Sequence, residues 1–497
     1  MYTISSVLNG IWDLISKPES DFFICSVRFW ALFVVFYAIY IGLRKNKQKL
    51  MMAYVIIFGL FIAYKANGIY VLLLPATALI SWLLTERMKR AKAVNHAKRW
   101  LVLTILVDLL PLIFFKYTNF MIDSLNEMFA TNFAPLSLIL PIGISFYTFQ
   151  AISYSVDVYK EKLSYDVTLL EYCFYITFFP LLFSGPITRT DTLVPQIRLK
   201  TPVDEKLVNM GMWLIVLGLV KKGLIADYLA QFNNMVYEST QTYSGFEVMM
   251  GVLGFNMQIY CDFSGYSDMA IGLAAIMGFR LLPNFNSPYK SLNASEFWRR
   301  WHIALSTWFR DYLYIPMGGN RKGKFRTYLN NFITMVVAGL WHGASWMFVI
   351  WGAMHGVALV IHKACKSLFL DKIKDNGLTK FMWWAITFVF ITFTWIFFRA
   401  GMLPENGMES VSIIFDKMFN EFDWAYLPVF VEVRYMWTIF LLVAFIFHFT
   451  PDKWCEKIKN AFAGSNWFVK LVIFALVVQL IINFNQENVQ QNLYAQF

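Results

Sequence analysis

A chain of 497 residues that is 58% apolar, 19% aromatic and only 15% charged, with a mean hydropathy of +0.51, is not a string of soluble domains but a polytopic membrane protein. Its apolar runs are continuous rather than alternating, which selects spanning helices over a barrel. The 43 Lys and Arg against 32 Asp and Glu give a net +11, but they lie in short loops between apolar runs, so nucleic acid is excluded as a partner and anionic membrane lipid is the expected contact.

The five cysteines, Cys25, Cys173, Cys261, Cys365 and Cys455, are odd in number and widely spaced, and signal neither a disulfide framework nor a zinc site. Residues 1–21 lack a basic leader, and the first apolar run, Phe22 to Gly42, is long enough to remain as a span. It ends at Arg44-Lys-Asn-Lys-Gln-Lys49, which places that loop in the cytoplasm and the N-terminus outside. Spans near 51–64 and 69–85 return the chain to a second basic loop, 86–99. Residues 100–118 cross outward and 136–158 cross back. Pro180, Gly185 and Pro186 interrupt the stretch from Tyr172 to Arg189, predicting a re-entrant element, with a kinked span as the alternative.

Helices at about 207–226 and 248–279 lead out and back. The second contains Tyr260-Cys-Asp-Phe-Ser-Gly-Tyr-Ser-Asp268, too polar to face lipid. The largest internal segment, 280–328, has nine basic residues and two acids. Within it Asn293 and Glu296 suggest a helix start. Trp298, Trp301, Leu305, Trp308 and Tyr312 follow at three- and four-residue spacing, predicting an amphipathic interfacial helix with His302 on its apolar side.

Residues 329–362 then form a hairpin, and spans near 381–399, 435–450 and 465–484 complete the bundle, leaving both termini outside. The segments read as external carry 15 acids and 3 bases and the main internal loops 30 bases and 9 acids, the asymmetry expected of a multi-pass membrane protein.

Six histidines are the candidates for chemistry. His96 lies in a basic loop, and His362 and His448 near internal helix ends. His342 sits between Gly339 and Gly343, with Trp341 and Trp346 nearby, in an almost uncharged run from Asn330 to His355. From Leu329 to Trp341 is about 20 Å of helix within a hydrocarbon core of about 30 Å, so His342 is expected at depth, where an ionisable group marks function. Apolar surroundings favour the neutral imidazole, the form able to take a proton from a hydroxyl. The bland alternative is a buried histidine bonded to a neighbouring helix. His355, thirteen residues and about 20 Å further along a continuous helix, reads as packing or as support behind the site unless the helix is broken between them. Neither His-x-x-x-His nor His-Glu-x-x-His occurs, so no metal is expected, and the absence of Gly-x-Ser-x-Gly disfavours a serine triad.

Three stretches, Glu296 to Asn320 (beginning Glu-Phe-Trp-Arg-Arg-Trp-His), Leu340-Trp-His-Gly-Ala344 and Tyr260 to Asp268, together resemble the membrane-bound O-acyltransferases. The likeness is nearest to the bacterial branch of alginate O-acetylation membrane proteins, with peptidoglycan O-acetylation and teichoic-acid D-alanylation relatives. It covers most of the chain from about Pro141 to Arg399.

The resemblance implies an all-α ring of about 11–12 tilted spans, with re-entrant and interfacial helices, around a central tunnel. It divides the chain into N-terminal helices (1–135), a catalytic core (136–400, including the 280–328 segment) and C-terminal helices with a tail (401–497). It implies His342 as general base and His302 as the residue that polarises a thioester carbonyl or binds the carrier. Trp341, Asp262, Ser264, Tyr266, Asp268, Trp298, Arg299, Arg310 and Asp311 are the candidate tunnel residues.

The donor would be acetyl-CoA or another cytoplasmic acyl thioester, with no resident cofactor. The acceptor would be an extracytoplasmic polysaccharide, reached directly or through an external SGNH-type acetyltransferase. The tail Asn492-Leu-Tyr-Ala-Gln-Phe497 is similar to the branch's aromatic C-terminus, which suggests Tyr494 as an acyl relay. D-alanyl transfer from a carrier protein is the alternative within the class, and a transporter with His342 as proton relay the alternative outside it.

Overall fold

The structure, a computed structural model, describes residues 17–18, 24–92, 96–199, 203–368, 376–403 and 407–484; Tyr494 lies outside them. The described elements are all helical. Among the described residues, seven stretches are long and apolar enough to cross a membrane: Val27–Lys45, Gln48–Ala91, Ala97–Phe129, Glu205–Glu238, Trp346–Lys366, Gly377–Ala400 and Trp467–Phe484. An eighth is the pair Trp424–Val433 and Tyr435–Phe449, bent by 99°. The protein is therefore an all-α polytopic membrane protein. The expectation of 11–12 spans counted inner helices that are too short or too polar to meet that test, and those helices hold most of the candidate site residues.

The chain forms two compact units, Met1–Phe115 with Leu136–Pro202, and Lys116–Pro135 with Val203–Ala495. In the first, α1 (Val27–Asn46), α2 (Gln48–Asn67), α3 (Leu73–Ala91) and the start of α4 (Ala97–Phe129) are joined by α5 (Ile144–Tyr159), α6 (Leu169–Thr177) and α7 (Thr190–Arg198). Buried hydroxyls tie these helices together, with Ser81 Oγ 3.1 Å from Asp108 Oδ2 and Tyr172 Oη 3.1 Å from Ser81 Oγ. The stretch from Tyr172 to Arg189 holds no helix long enough to cross. Its helix α6 has nine residues, about 13 Å against a core of about 30 Å. Phe178 is extended, a 3₁₀ turn follows at Phe179–Leu181, and the Tyr175 hydroxyl donates to the Thr188 carbonyl at 2.8 Å, as the re-entrant reading predicts.

The second unit begins with α8 (Glu205–Leu219), which passes through a π-helical segment, Val220–Ala226, into α9 (Asp227–Glu238). Most of 227–247, read from charge as an external loop, is thus helix. Next comes α10 (Gly245–Ile276), 32 residues started by a Ser244/Glu247 capping box. A Cβ at Gly218 would stand 2.5 Å from the Gly265 carbonyl oxygen, so α8 and α10 meet backbone to backbone, the close approach small residues allow between membrane helices.

That approach places two adjacent lysines against α10. Lys222 pairs with both Asp227 and Asp262 at 2.6 Å, and Lys221 pairs with Asp268 at 2.6 Å. Beyond α10 follow α11 (Ala294–Arg300), α12 (Ile303–Phe309), α13 (Gly323–His342), α14 (Trp346–Leu368), α15 (Gly377–Ala400), α16 (Gly407–Asn420), α17 (Leu427–Val433), α18 (Tyr435–Phe449), α19 (Asp452–Gly464) and α20 (Trp467–Phe484).

Candidate active site

His342 is the last residue of α13. The chain is extended at Gly343 and re-enters a helix at Trp346, so the hairpin breaks immediately after the imidazole. Both flanking glycines are explained by packing within that hairpin. A Cβ at Gly339 would lie 2.2 Å from the Phe348 carbonyl oxygen, and one at Gly343 would lie 2.1 Å from the Phe348 ring. The close approach that these glycines permit is made by α14.

A helix leaves its last four carbonyls without partners of its own. Two of those on α13 are held from α4: the Tyr117 hydroxyl donates to the Leu340 carbonyl at 2.7 Å, and Lys116 Nζ to the Trp341 carbonyl at 2.5 Å. Lys116 also lies 5.7 Å from the centre of the Trp341 ring. These residues immediately precede His342, so the two bonds fix where the helix ends and where its imidazole sits. The His342 ring is buried and packed edge-on against Trp351 and Phe398, with centroids 5.1 and 5.2 Å away.

His302 is placed by a break that periodicity hid. The aromatic spacing from Trp298 to Tyr312 predicts one helix, but α11 stops at Arg300, Trp301 is extended, and His302 adopts left-handed angles (φ 42°, ψ 58°) before α12 begins. The cause is non-local. The segment around Asn284 supplies backbone partners on both sides of the break, Asn286 N to Arg300 O and Ile303 N to Asn284 O, each at 2.9 Å. A non-glycine residue in this conformation costs about 1–3 kcal/mol and is characteristic of functional sites.

Asn284 also sets the protonation pattern. Its Oδ1 accepts from the Ala304 amide at 3.1 Å, and its Nδ2 donates to Ser267 Oγ at 3.1 Å. Oδ1 is also 3.0 Å from His302 Nδ1. An amide oxygen only accepts, so Nδ1 carries the proton and the lone pair of the neutral ring is on Nε2. The ring is fully buried, and burial pushes its pKa down to about 3.

The two imidazoles meet through Trp341, whose ring centroid is 5.0 Å from that of His342 and 6.2 Å from that of His302. His355 is part of a separate chain of bonds. It accepts from Trp298 Nε1 on Nδ1 at 3.2 Å, which leaves Nε2 to donate to Thr394 Oγ1 at 3.2 Å; Thr394 in turn donates to the Ile391 carbonyl at 2.8 Å. Trp298 thus serves to orient His355.

Asp262 and Asp268 are engaged by Lys222 and Lys221, while Ser264 and Tyr266 are buried on the same helix. Arg310 pairs with its neighbour Asp311 at 2.8 Å, and Arg299 is exposed on α11. The candidate list lacked Lys116, Tyr117, Asn284 and Ser267. A lysine and a tyrosine inside an apolar run could have flagged the first two; Asn284, in an aperiodic stretch, gave no signal.

Residues 98–403 match the membrane-bound O-acyltransferase (MBOAT) family, and the chain belongs to that family. It is 43% identical over 332 residues to a "probable alginate O-acetylase" of Pseudomonas aeruginosa, a match covering 66% of this chain and 62% of the relative. Over 380 residues it is 35% identical to a peptidoglycan O-acetyltransferase of Helicobacter pylori, covering 69% and 72% of the two chains. It is 29% identical over 294 residues to a teichoic acid D-alanyltransferase of Streptococcus thermophilus, covering 54% and 70%.

Proposed function

We propose that this protein is a membrane O-acyltransferase, specifically an O-acetyltransferase, that takes an acetyl group from a cytoplasmic thioester, acetyl-CoA, for O-acetylation of an extracytoplasmic polysaccharide of the bacterial envelope. The observation that carries this reading is the convergence of two buried imidazoles on the Trp341 ring, inside the region that matches the family.

In the proposed reaction neutral His342 accepts the proton of an acceptor hydroxyl as its oxygen attacks the thioester carbonyl. The tetrahedral intermediate expels the thiolate, which takes that proton and leaves as free thiol, regenerating the imidazole. A thioester is already activated, so positioning and proton transfer account for most of the protein's contribution. His302 in its Nδ1–H form offers Nε2 as an acceptor. This favours holding an N–H or S–H of the donor's carrier arm over polarising the carbonyl. The hydroxyl is that of the glycan or of Tyr494, which would relay the acetyl group to an external SGNH-type transferase. The protein would reside in the inner membrane with both termini outside.

The test is acetyl-CoA turnover in proteoliposomes, together with ester-linked acetyl groups counted on each envelope glycan of producing cells. His342→Ala should abolish both with expression unchanged. Persistence of either in that variant refutes the role, and D-alanyl esters in place of acetyl identify the teichoic-acid type of donor.

A further inference from the structure

A recess of about 940 Å³ opens between α14 and α15 beside α11. α14 turns a stripe of apolar residues towards it at three- and four-residue spacing, including Ile350, Met354, Val357 and Ile361, and α15 contributes Ile386 and Phe390. Charge gathers at one end only, where Arg299 of α11 and His362 and Lys366 of α14 line the recess. Arg299, Lys366 and Lys363 all lie within electrostatic reach of the His362 ring. Among the described lining residues none is acidic, and the nearby Glu296 is taken by Arg300 at 2.9 Å.

The recess therefore suits a ligand that is apolar along most of its length and anionic at its tip. From Ile350 to Lys366 is sixteen residues, about 24 Å of helix, more than half of a hydrocarbon core of about 30 Å. We propose that this groove binds an anionic phospholipid, its phosphate held by Arg299, His362 and Lys366 and an acyl chain laid along the α14 stripe. Guanidinium and ammonium groups suit phosphate oxygens, and basic pockets between membrane helices are known headgroup sites. A free phosphate or nucleotide would leave the apolar wall uncovered. Arg299 stands three residues before His302, so a bound headgroup also anchors the segment that carries this imidazole.

The experiment uses the full-length protein in vesicles containing phosphatidylglycerol or phosphatidylcholine with a photoreactive acyl chain, followed by peptide mapping of the cross-links. The phosphatidylglycerol probe should label α14 and α15 peptides at least fivefold more than the phosphatidylcholine probe. Arg299→Gln with Lys366→Gln should remove that preference without lowering Tm, and Ala358→Phe, which fills the groove, should reduce labelling by both probes. Equal labelling by the two headgroups, a preference that survives the double variant, or displacement of the label by inorganic phosphate or acetyl-CoA would each overturn the assignment.

Discussion

Lys116→Met isolates the bond that sets the end of α13. Methionine retains an apolar stem of similar reach but removes the donor to the Trp341 carbonyl. Leaving that buried acceptor without its donor costs about 1–3 kcal/mol, partly offset because a lysine head no longer has to be kept out of water. Tm should accordingly fall by only about 2–4 °C. The geometric effect is larger. A displacement of about 1 Å at a catalytic group can cost about 100-fold in rate, close to 2.7 kcal/mol, and the freed turn carries His342 itself. Turnover in proteoliposomes, followed by thiol release from acetyl-CoA, should show kcat reduced roughly 30- to 100-fold with KM within about threefold. Tyr117→Phe removes only a neutral bond of about 1 kcal/mol and should cost about fivefold. Full kcat in Lys116→Met would refute the positioning argument, and a Tm loss beyond about 10 °C would make Lys116 a folding residue instead.

Gly339→Ala forces a methyl group against the Phe348 carbonyl and should destabilise the hairpin by about 1–3 kcal/mol or more, read as lost Tm and yield; wild-type stability would contradict the packing described. Lys222→Met strands Asp227 and Asp262 and should cost about 3–5 kcal/mol, recovered in part when both aspartates become asparagine; a recovery no better than the single variant would sink the network reading. The His302 pKa, about 3 when folded against about 6.5 unfolded, means that the unfolded chain binds the extra proton between those values. The contribution is complete above about pH 6.5 and falls by about 1.4 kcal/mol per pH unit below it. Thermal melts from pH 8 to 5 should show a shallower slope for His302→Asn, and an identical slope would exclude His302 as the source.

His342 could be read from the chain because it breaks an apolar run, but the gap to His355 misled: it assumes a continuous helix, whereas the break after His342 lets both imidazoles pack on the Trp351 ring, with centroids 5.1 and 4.8 Å away. The end of the helix was not legible, since it depends on α4 donating to carbonyls more than 220 residues away. His302 was found by its motif but misplaced in conformation. Local spacing from Trp298 to Tyr312 favours one continuous helix, and only the backbone bonds from Asn284 and Asn286 break it. Asp262 and Asp268 drew notice as polar groups in an apolar stretch. Their lysine partners lie unremarked inside the helix predicted at 207–226, whose expected end falls where the π-helical segment passes into α9.

At position 302 the amino acid that suits the backbone and the one that suits the packing differ. Glycine would relieve the left-handed angles by about 1–2 kcal/mol, but it would also empty a fully buried position and take the imidazole from Asn284 Oδ1, so a selection for yield alone should leave the strained histidine in place.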